Sequence, residues 1–302
     1  MKAQVVKSTG SWYEVLSENR KLYRVRLRGK FKLEDKKITN PIAVGDWVKI
    51  ENVDGDFLIV EILSRDNYVI RSSPRKKGHF HLIASNIDQA IIVASLKHPK
   101  TSLGFIDRFL ITLETFRIPG IILFNKTDLY SDDELFLLEA YKDLYQSIGY
   151  LVIITSLHEK GGSDLVPMIT GKLSLVAGHS GTGKSTLINP LFPTENQAIG
   201  KVSKFADKGV HTTTFGEMFT SDDYQVIDTP GIKELGLAEV SENELGHYFP
   251  EIRELLGSCK FHDCSHINEP GCVVLAAVEA GHISESRYST YLSIIEGDDN
   301  RR

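Results

Sequence analysis

The sequence is short of cysteine, with three among 302 residues: Cys259, Cys264 and Cys272. An odd number would leave one thiol outside any disulfide framework, and all three fall within 14 residues, so the cluster reads as a metal site instead. Long apolar runs are also missing. No stretch approaches 18 consecutive apolar residues, so no transmembrane helix is expected. The opening Met1-Lys2-Ala3-Gln4-Val5-Val6-Lys7-Ser8 lacks the apolar centre of a signal peptide, and a cytoplasmic protein is expected. There is no internal repeat and no low-complexity tract. Apolar content of 41% and charged content of 25% exclude collagen-like and wholly disordered chains. A chain of this length exceeds one comfortable hydrophobic core, so two or three domains are expected.

Charge is unevenly spread. The net charge of −5 argues against nucleic-acid binding over the whole surface. Residues 1–37, however, carry 11 Lys and Arg against 4 Asp and Glu, and the remainder is acidic. A basic head on an acidic body points to a local anionic partner. A second basic run, Arg71 with Arg75-Lys76-Lys77, sits among Ser, Pro and Gly and reads as a linker.

Three regions differ in pattern. Residues 1–67 hold short alternating runs: Trp12–Val15, Lys21–Arg28, Trp47–Ile50 and Phe57–Val60. In the second, Arg24, Arg26 and Arg28 share one face, while Tyr23, Val25 and Leu27 share the other. Turn signals at Asn40-Pro41, Gly45-Asp46 and Asp54-Gly55 separate the runs, as in a small closed barrel, of which the five-stranded oligonucleotide-binding (OB) barrel is one candidate. Residues 68–236 switch to α/β alternation. Apolar strands are expected at Ala90–Leu96, Gly120–Phe124, Leu151–Thr155, Leu173–Ala177 and Tyr224–Ile227, with helices such as Phe105–Phe116 and Asp132–Ile148 between them. That pattern implies a mostly parallel sheet covered on both faces. Residues 237–302 are polar and mostly helical and contain the Cys/His cluster.

The strand Leu173–Ala177 runs into Gly178-His179-Ser180-Gly181-Thr182-Gly183-Lys184-Ser185-Thr186, a Gly-x4-Gly-Lys-Ser/Thr phosphate loop. Glycines let backbone amides turn inward onto phosphate oxygens, and the following helix N-terminus adds a favourable dipole. Lys184 is expected to reach the β- and γ-phosphates, and the Ser185 hydroxyl to ligate Mg2+. Asn125-Lys126-Thr127-Asp128 follows another strand. The Asp128 carboxylate can accept from both the N1–H and the 2-amino group of guanine, a donor pair adenine lacks. Asn125 is expected at the other base edge, Lys126 along the base, and a backbone amide at Thr155-Ser156 as further support. Tyr224–Ile227 ends in Asp228-Thr229-Pro230-Gly231, where Asp228 would hold Mg2+ through water and the Gly231 amide would face the γ-phosphate. Between these motifs lie Thr212, Thr213 and Thr214; one should complete the Mg2+ shell, with Thr213 preferred.

The guanine motif precedes the phosphate loop, which precedes Asp228–Gly231, so the order of an ordinary GTPase is permuted. A permuted GTPase after a β-barrel and before a Cys/His cluster resembles the bacterial ribosome small-subunit-dependent GTPase A family of assembly factors, over essentially the whole chain. The resemblance implies an OB-like barrel, a circularly permuted α/β core, a C-terminal zinc module and late maturation of the small (30S) ribosomal subunit. Binding to the subunit and its rRNA and alternation between GTP and GDP follow from it; nothing demands more than a monomer. Cys259-x4-Cys264-x-His266-x5-Cys272 is then a Cys3His set for tetrahedral, structural zinc, with His262 outside it. Ile232 stands where many GTPases carry a water-orienting glutamine. His211, in the first switch, is the candidate replacement, beside Lys184 and Thr213 in the hydrolytic centre. Turnover is expected to be slow until the subunit orders the switches. The short path from Gly231-Ile232 to the C-terminal module suggests that this module holds the second switch. Arg24, Arg26 and Arg28 are expected to contact phosphates, with Trp12 and Tyr23 either stacking on bases or filling the barrel core. Two other readings stand beside the assembly GTPase: an RNA-binding scaffold that scarcely hydrolyses nucleotide, and a phosphate-loop kinase, which the guanine motif disfavours.

Overall fold

The computed structural model describes residues 1–9, 11–28, 40–72, 79–193, 216–228 and 240–298. His211, Thr212, Thr213, Thr214, Gly231 and the run Arg75–Lys77 lie outside the described residues.

Five strands close the N-terminal barrel: β1 (Lys2–Ser8), β2 (Tyr13–Ser17), β3 (Leu22–Leu27), β4 (Trp47–Val53) and β5 (Asp56–Ile62). Their order is β1-β2-β3-β5-β4, and pairing of β4 back onto β1 completes the circuit. Val5, Val15, Val25, Val48, Ile50 and Ile59 fill the interior. Strand β1 is absent from the sequence expectations for a physical reason. Val5 packs into the barrel while Val6 packs into the neighbouring core, so both faces are buried and no polar/apolar alternation marks it. The region read as a linker is partly strand, because β6 (Tyr68–Ser72) and β7 (Phe80–Ser85) form an antiparallel hairpin. Val69, Ala84, Ile70 and Leu82 are buried there.

The central sheet holds β8 (Gln89–Ala94), β9 (Gly120–Phe124), β10 (Leu151–Ile154), β11 (Leu173–Ala177), β12 (Glu217–Thr220) and β13 (Gln225–Asp228). Its order is β10-β9-β8-β11-β13-β12; every pair is parallel except β12–β13. Successive residues divide between two cores, as the pleat requires. Ala90, Ile92, Ile122, Phe124, Leu175 and Ile227 face one layer, and Ile91, Val93, Ile121, Leu123, Val176 and Val226 face the other. Helices α1 (Leu103–Thr115) and α2 (Asp132–Ser147) cover the first face; α3 (Leu157–Lys160), α4 (Val166–Ile169) and α5 (Lys184–Leu191) cover the second. Local chemistry sets the helix starts. The Ser102 hydroxyl accepts from Phe105 N to cap α1. Ser131 and Glu134 form a reciprocal capping box on α2, whose first turn carries Asp132, Asp133 and Glu134 at the positive end of the helix dipole.

The chain lays down β8, β9 and β10 outward on one side, then returns to place β11 on the other side of β8. In an open parallel sheet, such a reversal opens a crevice at the carboxyl ends of the two strands, the usual ligand position. The expected nucleotide motifs follow β9, β11 and β13, all at that edge.

The C-terminal region contains α6 (Pro250–Arg253), α7 (Val273–Glu279) and α8 (Glu285–Ile295), packed on α1 around Ile111, Leu245, Phe249, Ile252, Val274 and Tyr291. No helix among the described residues is long and apolar enough to cross a membrane.

Candidate nucleotide site and metal cluster

The phosphate loop is an irregular turn between β11 and α5. Gly178 has φ 141°, and a Cβ there would sit 2.3 Å from the Val93 carbonyl oxygen. At Gly183, φ is 113° and a Cβ would lie 2.1 Å from Asn125 Nδ2. The second close approach is informative. Asn125 directly follows β9, is 3% exposed, and is bonded at both ends of its amide. Nδ2 donates to the Thr182 carbonyl at 2.7 Å, and Oδ1 accepts from Leu157 N at 2.8 Å. Asn125 was expected at a base edge; in the structure its side chain ties the phosphate loop to the turn after β10. Gly183 must be glycine because that amide occupies the space of a Cβ. Tyr130 supports the tie by donating to the Asn125 carbonyl at 2.7 Å and accepting from Leu96 N at 2.9 Å.

The other base-motif residues gather on the same edge. The Ser156 hydroxyl donates to Asp128 Oδ1 at 2.7 Å, holding one carboxylate oxygen. Thr127 N donates to the Thr155 carbonyl at 3.4 Å, and the Thr155 hydroxyl donates to Asp164 at 3.1 Å. Lys126 has a left-handed backbone, φ 76°, and its ammonium donates to the His98 carbonyl. Thr155 and Ser156 are buried, whereas Asp128 is exposed.

Lys184 Nζ donates to the carbonyls of Gly178 and His179, both at 2.8 Å, so the lysine folds back over the loop's own backbone. Burial pushes this ammonium below the ordinary lysine range, and Asp228 opposes the shift. Burial pushes the Asp228 carboxyl up; Lys184 opposes that, and Glu217 adds to it. Asp228 Oδ1 is buried with no hydrogen-bond partner among the described residues. A buried anionic oxygen without a donor favours a cation, so the position fits the metal-holding role expected of it. Ser180, Gly181, Ser185 and Thr186 are exposed at the loop and the start of α5. The His179 ring lies 4.0 Å from that of Phe105 on α1, tilted by 31°.

In the C-terminal region, one ligand atom from each of Cys259, Cys264, His266 and Cys272 lies within 4.8 Å of the other three. Tetrahedral zinc with Zn–S bonds of about 2.3 Å requires S–S edges of about 3.8 Å and slightly shorter S–N edges. Cys259 and Cys272 Sγ are 3.9 Å apart, and His266 Nδ1 lies 3.6 and 3.4 Å from them. These three edges match one face of such a tetrahedron, and the Cys264 ligand atom lies within 4.8 Å of all three atoms. Burial pushes the Cys264 thiol up to about 12, so a thiolate there needs a cation. His262 is exposed and outside the cluster.

The sequence reading missed the buried link between this region and the sheet. Arg287, 1% exposed, donates from Nη1 to Asp107 on α1 at 2.9 Å and from Nε to Glu251 at 2.7 Å. Thr290 and Tyr145 hydroxyls complete the Asp107 carboxylate, each at 2.8 Å. The available signal was an aspartate inside the apolar pattern of α1. On the barrel, Arg24 and Arg26 guanidinium carbons lie 4.4 and 4.1 Å from the Trp12 ring centroid, on the outer surface. Tyr23 instead packs on Phe57 at 4.6 Å against the barrel core.

Comparison with known proteins bears on the family and the fold of the whole chain. The model of the RsgA GTPase family matches residues 62–238, and that of the RsgA N-terminal domain matches residues 2–57. The chain is 51% identical to the small ribosomal subunit biogenesis GTPase RsgA of Cytophaga hutchinsonii, covering 100% of both chains. It is 46% identical to RsgA 2 of Bacteroides thetaiotaomicron, covering 98% of this chain and 96% of that one. Among solved structures, YjeQ from Thermotoga maritima matches with TM-score 0.77 and 32% identity, over 100% of this chain and 99% of that one. YloQ, described as a circularly permuted GTPase, matches with TM-score 0.74 and 32% identity, over 100% and 96%. The barrel, the permuted motif order and the full-length similarity together make this chain a member of the RsgA GTPase family.

Proposed function

We propose that this GTPase acts in the cytoplasm as a monomer in biogenesis of the small ribosomal subunit, binds the subunit's rRNA, and is stimulated by it. Three functional parts belong to this reading: an RNA-binding barrel over 1–67, the permuted GTPase over 68–236 and a zinc module over 237–302. The observation that carries the nucleotide assignment is the Asn125 bridge, which binds the guanine motif to the phosphate loop through Thr182 and to the turn after β10 through Leu157.

In this reading, amides of Gly178, His179, Ser180, Gly181, Thr182 and Gly183 cradle the phosphates, with Ser185 and Thr186 opening α5. The Lys184 ammonium turns from its two backbone carbonyls to the β- and γ-phosphates. Asp128, steadied by Ser156, accepts from guanine N1–H and the 2-amino group. Lys126 flanks the base, and Thr127 and Thr155 hold the loop. Ser185, Thr213 and, through water, Asp228 would hold Mg2+, which would neutralise charge on the phosphate oxygens. His211 orients the water that attacks the γ-phosphorus as the bond to the bridging oxygen breaks and GDP leaves; the Gly231 amide faces the γ-phosphate. The roles of His211, Thr213 and Gly231 rest on motif position. Cys259, Cys264, His266 and Cys272 would hold zinc in a structural role, because four protein ligands would leave no open position.

Base selection tests the nucleotide reading. Asp128→Asn replaces one acceptor by a donor, which suits the 2-carbonyl of xanthine. The variant should lose GTP turnover and gain XTP turnover. Unchanged GTP preference would contradict the assignment.

A further inference from the structure

Three charged residues stand in register across neighbouring strands where the barrel meets the central sheet. Strand β1 pairs with β12 at Lys7 and Glu217, and β12 pairs with β13 at Glu217 and Asp228. Residues directly opposed on antiparallel strands put their side chains on one face of the sheet. The row therefore reads positive, negative, negative from barrel to nucleotide site, with the Lys184 ammonium acting on Asp228 beyond it. Lys7 Nζ lies 2.7 Å from Glu217 Oε1, with the side chains 27% and 16% exposed. A second tie crosses the same junction, since Gln225 Nε2 on β13 donates to Gln4 Oε1 on β1 at 3.3 Å.

Opposing like charges on adjacent strands are unfavourable. The chain nevertheless places Glu217 opposite Asp228, whose Oδ1 is buried without a partner among the described residues. The lysine that offsets Glu217 comes from the barrel, 210 residues away in sequence. We propose that Lys7 is a positioning residue of the magnesium site: by engaging Glu217 it keeps a second carboxylate's field off Asp228, so the barrel sets the site's affinity for divalent cations. The proposal rests on the reading of Asp228 as a magnesium-holding residue. It gives the β1–β12 junction a direct electrostatic effect on nucleotide retention.

Titration of the GDP complex with Mn2+, followed by electron paramagnetic resonance, reads the site without turnover. Release of a fluorescent GDP as Mg2+ is varied provides a second readout. Lys7→Met keeps the aliphatic stem but exposes Glu217's charge to Asp228, and should tighten the divalent cation by roughly three- to tenfold. Lys7→Arg should restore the wild-type value. In a Glu217→Gln background, Lys7→Met should have no further effect. Two results would overturn the proposal: an unchanged Mn2+ titration in Lys7→Met, or a Lys7→Met shift that persists when Glu217 is Gln. Asp228→Asn separates the underlying reading. If it leaves the wild-type Mn2+ titration unaltered, the magnesium assignment of Asp228 fails and the proposal fails with it.

Discussion

Replacing Asn125 by alanine should damage nucleotide binding without altering the choice of base. The side chain makes two buried bonds, to the Thr182 carbonyl and from Leu157 N, at 2.7 and 2.8 Å. Its removal leaves one acceptor and one donor unpaired, each costing about 1–3 kcal/mol when water cannot replace the partner. The loop relaxes enough to recover part of this. A residual loss of about 2 kcal/mol at the phosphate loop corresponds to roughly 30-fold weaker GDP binding. Asn125→Asp separates the two bonds, because a carboxylate still accepts from Leu157 N but cannot donate to the Thr182 carbonyl. It should therefore retain the β10-side contact and lose the phosphate-loop contact. The assay is titration of a fluorescent GDP, with competition by inosine and adenine nucleotides. The tie predicts weaker binding of all nucleotides at a constant guanine-to-inosine ratio. GDP affinity within twofold of wild type would refute the reasoning, and a selective loss of guanine preference would return Asn125 to the base edge.

Arg287→Met leaves Asp107 and Glu251 with uncompensated buried charge and should cost about 3–5 kcal/mol. Adding Asp107→Asn should recover part of that loss in chemical denaturation, and strictly additive losses would contradict the network. Glu269 accepts hydrogen bonds from Ser265 and from the amides of Ile267 and Asn268. The Ser265 hydroxyl above all, with the Ser265 and Ile267 amides, holds its carboxyl down to about 2. Its folded-state value lies below the ordinary 4.5. The stability it contributes is therefore present above about pH 4.5 and lost as pH falls towards 2. Glu269→Gln should melt earlier than wild type at neutral pH and converge with it near pH 2; a constant gap would count against this. On the barrel, Arg24→Gln and Arg26→Gln should each reduce the salt dependence of subunit binding by about one unit of log–log slope. A flat salt dependence in the wild type would remove the phosphate-contact assignment.

The sequence exposed those parts of the fold in which one chemistry repeats locally. Gly120–Phe124 and Leu173–Ala177 end where the apolar runs end, because their strands are buried on both faces and glycine or a polar motif stops them. The hairpin of β6 and β7 was hidden by Ser, Pro and basic residues beside Val69, Ile70 and Leu82, which are buried against other elements. Strand β12 was hidden because only its neighbours, β1 and β13, define it. The same division holds at the site. Glycines and Lys184 announce a phosphate loop because their spacing is the chemistry. The two hydrogen bonds of the Asn125 side chain, the Lys7–Glu217 pair and the Asp107–Arg287–Glu251 network join residues far apart in sequence, so no local pattern encodes them. The C-terminal module was expected to touch the second switch through chain continuity. Residues 229–239 lie outside the described residues, while the described contact runs through α1, whose Phe105 meets His179 and whose Asp107 meets Arg287.

Steady-state turnover of GTP, with ATP as control, measured with and without purified small ribosomal subunits, tests the central claim most directly. The account predicts slow, GTP-selective hydrolysis that the subunit accelerates strongly and that His211→Ala abolishes without loss of GTP binding. GTP binding with no acceleration by the subunit would contradict it, and would leave an RNA-binding protein whose nucleotide site does not respond to the ribosome.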